Sequence, residues 1–359
     1  MCIRDRTNIG GNGSQLTELI RDITTIQQGF LVSNANEGID YGKLENARKL
    51  NQGNDYTVNT QLGYISLNQR LQNDEVLAVS YQFTVGGEVY QVGEFANDGL
   101  SATDVSTDLN TGNEIVNNQS LVLKMLKSAV TNVNEPIWDL MMKNIYNTGA
   151  YQLSQEDFKF NIFYNETSSL NYITPVSGTP FPILSANEDP IDETPLIRLF
   201  NFDRLNYNND PQNKGDGFFD FVQGITVIPQ NGKVIFTKIE PFGSYLFEIL
   251  RLDNSENYEL DESIPGNYNA NQAKYVYKSL YKNTKTAALQ DSEKNKFQIR
   301  GRYKSTGGSG IPIGAFNVPR GSVRVTAGGR VLVEGVDYTV NYQIGTVQIL
   351  DASLQASNI

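Results

Sequence analysis

The sequence predicts a mainly β fold with short α-helical insertions. Apolar side chains alternate with polar ones over many short segments, of which residues 75–85 are the longest. Alternation with a period of two is typical of half-buried β-strands. Glycine-rich turns separate several of these segments, and a block of sixteen residues near the start recurs near the end. Both features favour hairpins over long helices.

The composition excludes several classes of function. The 359 residues include no histidine and a single cysteine, Cys2, and the formal net charge is −11. An acidic surface repels phosphate groups, so we expect no nucleic-acid partner and no docking on anionic lipid. Imidazole bases and the usual zinc ligands are also excluded. Apolar runs long enough for a membrane helix are absent, whereas strands that cross an outer membrane give only short alternating segments.

The two ends of the sequence do not resemble natural termini. Residues 1–6, MCIRDR, can be back-translated into a sequencing-library adapter, so they are excluded from the fold prediction. A genuine short N-terminal tail is the alternative. Cys2 belongs to this stretch, which leaves the rest without a thiol nucleophile. The chain stops at Ile359 within a strand-like pattern, and we expect an internal piece of a longer protein, open at both ends.

Residues 7–95 are predicted to form a helix and a repeat-type β-hairpin unit. Apolar residues at helical spacing, with Ser14 as a candidate N-cap, predict an amphipathic helix over 14–27. From Asp55 the period changes to two, and Gly86 with Gly87 marks a hairpin turn. Residues 75–85 are long enough to cross an outer membrane at a tilt; an ordinary sandwich strand is the alternative.

Residues 96–150 are predicted to form a polar linker and a short helix. The stretch 96–118 is rich in Asn, Asp, Ser and Thr, as solvated loops are. Pro136 and Gly149 bracket the predicted helix. Its methionine and aromatic side chains are interpreted as core.

Residues 151–250 are predicted to be a strand segment with Pro-rich and Asx-rich loops. The prolines make 171–195 an extended loop. Alternating patterns predict strands at 157–166, 218–228 and 233–239.

Residues 251–359 are predicted to contain an acidic loop, a helix and a second repeat-type hairpin unit. The loop covers 253–271 and the helix 273–289. The closing strands are KFQIRGRYK, SVRVTA, VDYTVN and TVQIL, separated by Gly-rich turns at 307–310 and 328–329.

The most specific feature is the internal repeat. RKLNQGNDYTVNTQLG at 48–63 recurs as RVLVEGVDYTVNYQIG at 330–345, with ten of sixteen positions identical. One supersecondary unit therefore occurs twice, and a weaker relative is predicted at 229–236.

Every role within the repeat is predicted to be structural. The first glycine of each copy bends the chain into the strand, and the second supplies a positive φ at the turn. We expect the tyrosines to be packing residues rather than catalytic ones, because no partner base is near. The residues assigned to the repeat are Gly53, Asp55, Tyr56, Gly63, Gly335, Asp337, Tyr338 and Gly345.

One loop is a candidate Ca²⁺ site, and no other cofactor is predicted. The stretch NNDPQNKGDGFFD places four hard oxygen ligands around a glycine, which Ca²⁺ prefers. An Asx-rich turn between strands is the alternative. The four candidate ligands are Asp210, Asn213, Asp216 and Asp220.

No enzyme is predicted. Two carboxylates are enough for a glycosidase, but the 40 Asp and Glu residues make such pairs uninformative. GGSG at 307–310 lacks the Lys-Ser/Thr pair and the helix start of a phosphate loop.

Several long blocks resemble the SprA family of gliding-motility and secretion proteins of the Bacteroidetes. The similarity covers essentially all of 15–359 and rests on LENARKL with DYTVNTQLGYISL, PIWDLMMKNIY, PLIRLFNFDRLN, GFFDFVQGITV with EPFG, and RGSVRVTAGGRVLVEGVDYTVNYQIGTVQILD. The resemblance implies a piece of a very large outer-membrane β-barrel with long loops. That barrel is the translocon of the type IX secretion system, which passes folded cargo proteins to the cell surface.

The resemblance also implies a location and partners. We expect the cell outer membrane and its lipid, and cargo proteins that carry a C-terminal signal. The other implied partners are a plug, a lipoprotein, an isomerase-like surface component and the inner-membrane motor. A surface adhesin or glycan-binding β-rich module is the alternative function, because exposed Tyr and Phe on strands suit sugar stacking.

Overall fold

The computed structural model describes most of the chain. The described residues are 9, 14–32, 35–44, 47–95, 103–107, 114–118, 120–150, 152–156, 158–184, 189–303, 310–313, 317–327, 330–343 and 345–350. The adapter interpretation of 1–6, the turn at 328–329 and the end at Ile359 lie outside them. The chain divides into two compact units, Met1–Met142 and Lys143–Ile359, which are treated separately below.

The described residues form small antiparallel sheets and a few short helices. The eight sheets have two or three strands each, so the expected β-rich fold with short helical insertions is confirmed. In the part of the chain that the structure describes, no helix has the length and apolarity that a bilayer span requires.

Among its described residues, the first unit contains four two-stranded sheets and three 3₁₀ turns. Strands pair β1 with β2, β3 with β8, β4 with β5, and β6 with β7. The strands are β1 (Tyr56–Asn59), β2 (Tyr64–Leu67), β3 (Leu77–Val79), β4 (Tyr81–Val85), β5 (Glu88–Val92), β6 (Thr103–Thr107), β7 (Glu114–Asn118) and β8 (Lys124–Lys127); the 3₁₀ turns are Glu18–Arg21, Ile26–Gly29 and Pro136–Leu140.

The predicted amphipathic helix over 14–27 is wrong, because the segment forms two 3₁₀ turns instead. Leu19 and Ile23 are exposed, so little apolar burial stabilises a continuous helical face. The Asp22 carboxylate accepts hydrogen bonds from the backbone N–H and the hydroxyl of Thr24. Such local side-chain bonds compete with the helical backbone pattern.

Two further predictions for this unit need correction. The expected loop 96–118 contains the antiparallel pair β6 and β7, whose Thr, Val and Ile content favours strands. The expected single strand 75–85 is interrupted at Ser80, since β3 and β4 pair with different partners.

The predicted helix between Pro136 and Gly149 ends at Leu140 as a 3₁₀ turn. Met141 has an extended backbone, with ψ at 123°. Met141 and Met142 are exposed, so they are not core as expected.

In the part of the second unit that the structure describes, four sheets combine with five short α-helices. Its strand orders are β11-β10-β14, β12-β13-β9, β15-β19-β18 and β16-β17. The strands are β9 (Ile145–Asn147), β10 (Lys159–Asn165), β11 (Ser169–Leu170), β12 (Val227–Ile228), β13 (Lys233–Ile235), β14 (Phe297–Arg302), β15 (Ile311–Pro312), β16 (Thr326–Ala327), β17 (Arg330–Val331), β18 (Tyr338–Asn341) and β19 (Thr346–Ile349). The helices are α1 (Leu196–Leu199), α2 (Leu246–Ile249), α3 (Ala270–Tyr275), α4 (Ser279–Lys282) and α5 (Lys285–Gln290).

An aromatic core holds this unit together. Strand β10 alternates as predicted and buries Phe160, Ile162 and Tyr164 on one side. Phe202 contacts Phe160 and Phe236 with near-perpendicular rings, at centroid distances of 5.4 and 4.6 Å. Edge-to-face pairs of this kind add to the free energy gained by burying the rings.

Three predicted strands are shorter than expected. Only β12 forms within 218–228, only β13 within 233–239, and only β16 within SVRVTA.

The predicted helix 273–289 is divided into α3, α4 and α5. Between the first two, Val276 adopts an extended backbone and Tyr277 donates its N–H to the carbonyl of Phe242, 2.7 Å away. Both side chains are thereby buried. Tertiary packing therefore overrides the helical propensity of this stretch.

Candidate functional site

The two copies of the repeat form hairpins of the same geometry. We call β1 with β2 the first hairpin and β18 with β19 the last hairpin. In each, the glycine N–H before the strand donates to the tyrosine carbonyl three residues later, at 2.7 Å in both Gly53–Tyr56 and Gly335–Tyr338. These glycines have φ of 89° and 84°, a left-handed conformation that favours glycine.

An aspartate closes each of these loops, a role that the sequence did not indicate. The Oδ2 atom of Asp55 accepts the N–H of Asn51 at 2.8 Å, and Asp337 accepts the N–H of Val333 at the same distance. Each aspartate N–H donates back to the carbonyl of that same residue, at 2.9 Å. Arg330 adds an ion pair to Asp337 at 3.1 Å. We name this arrangement the glycine loop; it covers 51–56 and 333–338.

Both hairpins turn through a glycine with positive φ. Gly63 has a φ of 68° and Gly345 one of 64°. In the first hairpin, Oδ1 of Asn59 accepts the N–H of Gln61 and of Leu62. The side chain therefore fixes the start of the turn, as Asx turns do.

Two more glycine loops occur at 36–41 and 222–227. Asp40 closes the first, accepting the N–H of Asn36 at 2.8 Å, and Gly38 donates to the Tyr41 carbonyl at 2.7 Å. Thr226 replaces the aspartate in the second, and its hydroxyl accepts the N–H of Val222 at 2.9 Å. The sequence signal is a glycine two residues before Asp or Thr, which an aromatic or β-branched residue follows.

The second of these loops starts a third hairpin. We call β12 with β13 the middle hairpin; it contains the weaker relative predicted at 229–236. The N–H of Ile235 donates to the carbonyl of Thr226 at 2.8 Å. The bond from Leu350 to Asp337 in the last hairpin has the same position and the same length.

Two of the four candidate Ca²⁺ ligands accept hydrogen bonds from backbone N–H groups. Asp216 accepts the N–H of Phe218, and Asp220 accepts the N–H of Arg204 and Leu205 at 2.7 and 3.2 Å. Asp210 and Asn213 are exposed. Among the described residues, no group of three or more His, Cys, Asp or Glu side chains is placed to hold a metal ion. The Ca²⁺ site stays a prediction.

Asp203 precedes this loop in the chain and binds its backbone, a role that the sequence pattern does not indicate. Its side chain is fully buried and accepts the N–H of Asp216 and of Gly217 at 2.8 and 3.1 Å. Arg198 donates to its other oxygen at 3.4 Å. Burial raises the pKa of the nearby Asp220 carboxyl above its usual value, although two backbone N–H bonds oppose this.

A shallow cleft of about 430 Å³ lies on the second unit. Lys274, Lys294 and Lys296 line it together with Glu166 and Glu293. The lysines are paired: Lys274 lies 3.0 Å from Glu166, and Lys296 lies 3.5 Å from Glu293. The cleft therefore presents both charges rather than an anion site.

The β4–β5 hairpin exposes an aromatic face in the first unit. Tyr81, Phe83 and Tyr90 are each about two-fifths exposed. The rings of Phe83 and Tyr90 stack across the strands, with centroids 5.3 Å apart. Such exposed rings suit stacking against a flat ligand.

Buried tyrosines of the second unit stay protonated at neutral pH. Burial raises the pKa of Tyr146 to about 12 and that of Tyr258 further still. Neither phenol can therefore serve as a base near neutral pH.

Comparison with models of known protein families and with curated proteins finds no match to this chain.

Proposed function

We propose that the chain is a fragment of an outer-membrane translocon of the type IX secretion system. In this role it conducts folded cargo proteins to the cell surface and is needed for gliding motility. The observation that carries the proposal is the resemblance of long sequence blocks across 15–359 to the SprA family.

The proposal assigns the strands to a very large outer-membrane β-barrel with long loops. Support comes from the repeated hairpin, a unit that must pair with neighbours to bury its apolar face. The small sheets leave strand edges that further strands would pair. In the outer membrane the protein would contact lipid, cargo with a C-terminal signal, a plug, a lipoprotein, an isomerase-like component and the motor.

In this function the protein is a conduit and not an enzyme. Selectivity arises from the shape of the pore, polar side chains facing its lumen and the partners that gate it. No residue is assigned a catalytic role, and the repeat residues act by holding hairpins in register.

The experiment deletes 48–63 from the full-length protein in cells that depend on it for secretion. We expect export of a cargo with a C-terminal signal to stop, because the hairpin no longer forms and neighbouring strands misassemble. A matched variant, Thr60→Ala in the exposed turn, keeps the hairpin and should export normally. Normal export by the deletion variant would contradict the proposal.

A glycan-binding or adhesive surface module is the second candidate. The exposed rings of Tyr81, Phe83 and Tyr90 favour it, since aromatic faces stack on sugars. It predicts that a polysaccharide embedded in a native gel slows the migration of the isolated chain, and that Phe83→Ala migrates without this delay. Gln82→Ala, on the opposite face of the same strand, is the control.

A further inference from the structure

The outer face of the sheet β11-β10-β14 is basic, in a chain whose net charge is −11. Phe160, Ile162 and Tyr164 of β10 belong to the aromatic core, so the residues between them form the opposite, outer face. The stretch 294–333, which contains β14, has eight lysines and arginines and no aspartate or glutamate. Positive charge is therefore concentrated here, although the whole chain is acidic.

Three cationic side chains lie side by side on this outer face. Lys159 is directly opposite Arg302 across the two strands, and Arg300 is the next residue of β14 on the same face. All three are exposed, and none forms an ion pair with a carboxylate among the residues that the structure describes. Like charges directly opposite each other on a sheet are destabilising, so a bound anion would remove a repulsion.

The guanidinium of Arg300 is held in place before any ligand binds. Its Nε and Nη2 atoms donate to Oε1 of Gln298 at 2.9 and 2.6 Å, and its Cζ atom lies 5.0 Å from the centroid of the Phe163 ring. The same Gln298 oxygen accepts the side-chain amide of Asn165 at 2.8 Å, and Asn165 accepts the hydroxyl of Ser169. An arginine fixed in this way loses little side-chain entropy when it binds an anion.

The remaining donors of Arg300 lie beside a second donor, from β10. Its Nη1 atom has no hydrogen-bond partner in the part of the chain that the structure describes, so the outer edge of the guanidinium can take two oxygens of one anion. Asn161 is directly opposite Arg300 and uses its Oδ1 atom to accept the N–H of Ile162 at 2.8 Å. The side-chain N–H groups of Asn161 are therefore left for a ligand.

We propose that this outer face binds the phosphate group of a soluble phosphate monoester. Arg300 takes two phosphate oxygens through the outer edge of its guanidinium, and Asn161 donates to the oxygen nearest β10. Arg302 and Lys159 neutralise the double charge, since neighbours on one face of a strand are about 7 Å apart and opposite residues about 5 Å apart, within reach of long side chains. A carboxylate fits less well, because it carries one charge and two oxygens. This inference does not depend on the proposed function.

The charge of the rest of the chain favours a small soluble ligand over a nucleic acid or a membrane. All 40 aspartates and glutamates lie outside 294–333. A long polyanion or an anionic bilayer would face that acidic remainder as well as the basic face. A single phosphate ester contacts the basic face alone, and charges more than about 8 Å away are largely screened at physiological ionic strength. The average charge that argues against phosphate-bearing partners therefore does not describe this face.

The test is a calorimetric titration of the whole chain with glycerol 3-phosphate at constant ionic strength. We expect one saturable site per chain, and acetate should bind at least about tenfold more weakly. Arg300→Ala should weaken binding of the ester at least about tenfold, as the loss of a hydrogen bond to a charged group does. Lys285→Ala is the control and should bind as the unaltered chain does. It removes the same charge from helix α5, which packs on the aromatic core through Ala288.

Two variants separate the geometry of the site from its charge. Gln298→Ala keeps every cation but removes the acceptor that positions Arg300, so the affinity should fall about threefold to tenfold while its dependence on salt concentration stays the same. Arg300→Lys keeps the charge but loses the planar pair of donors, so it should weaken binding by a similar factor. Unchanged affinity in both variants would contradict the proposed geometry.

Four results would overturn the proposal. The first is the absence of saturable binding of glycerol 3-phosphate. The second is equal affinity for acetate, because the face would then accept any anion. The third is equal weakening by Lys285→Ala and Arg300→Ala, because the effect would then be one of net charge. The fourth is binding to phosphatidylcholine vesicles that contain phosphatidic acid at a lower phosphate concentration than the soluble ester requires, because the ligand would then belong to a membrane.

Discussion

Replacing Asp337 by alanine should open the glycine loop of the last hairpin. The side chain is 7% exposed and accepts the N–H of Val333 at 2.8 Å. A hydrogen bond to a charged group contributes about 1.5–3 kcal/mol. The Arg330 partner is 64% exposed, so the ion pair adds less than about 1 kcal/mol. We therefore expect a loss of about 2–3 kcal/mol in the free energy of local opening.

The first hairpin provides the matched comparison. The Asp55 side chain is 22% exposed, and its partner Arg48 is 3.8 Å away and 70% exposed. Water can replace part of the hydrogen bond that Asp55 accepts, so Asp55→Ala should lower the free energy of local opening by only about 1 kcal/mol. The two substitutions thus remove the same hydrogen bond from a covered loop and from an open one.

Native-state amide hydrogen exchange measures both effects without assuming that the two units unfold together. The reporting amides are those of Gly335 and Leu350, which donate to the carbonyls of Tyr338 and Asp337. A loss of 2 kcal/mol corresponds to exchange faster by about thirtyfold, since about 1.4 kcal/mol is tenfold. The reasoning is refuted if Asp337→Ala leaves these rates unchanged, or accelerates them no more than Asp55→Ala does in its own loop.

Four further substitutions test the second unit. Asp203→Ala removes a fully buried carboxylate and should lower the free energy of unfolding by about 3–5 kcal/mol. A loss below about 1 kcal/mol, measured by urea titration, would contradict the role assigned to it. Gly335→Ala meets open space and should cost only the strain of its positive φ, about 1–2 kcal/mol, whereas Gly232→Ala also overlaps the carbonyl of Ala150 and should cost more; equal urea midpoints would contradict this. Burial holds the pKa of Tyr146 at about 12 against 10.0 in the unfolded chain, so its contribution to stability is complete below pH 10 and is lost as the pH rises towards 12. Tyr146→Phe should make the fall in stability across that range shallower, and an unchanged slope would refute the assignment.

The sequence predicted elements well where one face of a strand meets a core. Strand β10 follows its alternating pattern because Phe160, Ile162 and Tyr164 pack into the aromatic core. The hairpin turns also follow from local chemistry, since glycine tolerates the positive φ that they need.

Two of the failures concern helical spacing, which does not reveal how much apolar surface the folded chain buries. The stretch 273–289 has helical spacing, yet Val276 and Tyr277 become extended because their burial favours it. At 14–27 the helical spacing is present but too little apolar surface is buried to hold a helix.

The sequence indicated two of the four glycine loops described above. The repeat revealed two of them because DYTVN is copied whole. The loop at 222–227 was not predicted, because Thr226 stands in place of the aspartate and shares with it only an acceptor oxygen. The role of Asp203 was not predicted for another reason. Its backbone donors are the N–H groups of Asp216 and Gly217, which only the folded chain brings close to it.

The most direct test of the proposed function is the DNA sequence on both sides of this segment in the same sample. The translocon proposal predicts that the reading frame continues in both directions from codons 7 and 359. It further predicts more hairpins of the Gly-x-Asp-Tyr type, alternating strands and a signal peptide upstream. Stop codons and linkers that close the segment near its present ends would contradict the proposal and favour a free-standing surface module.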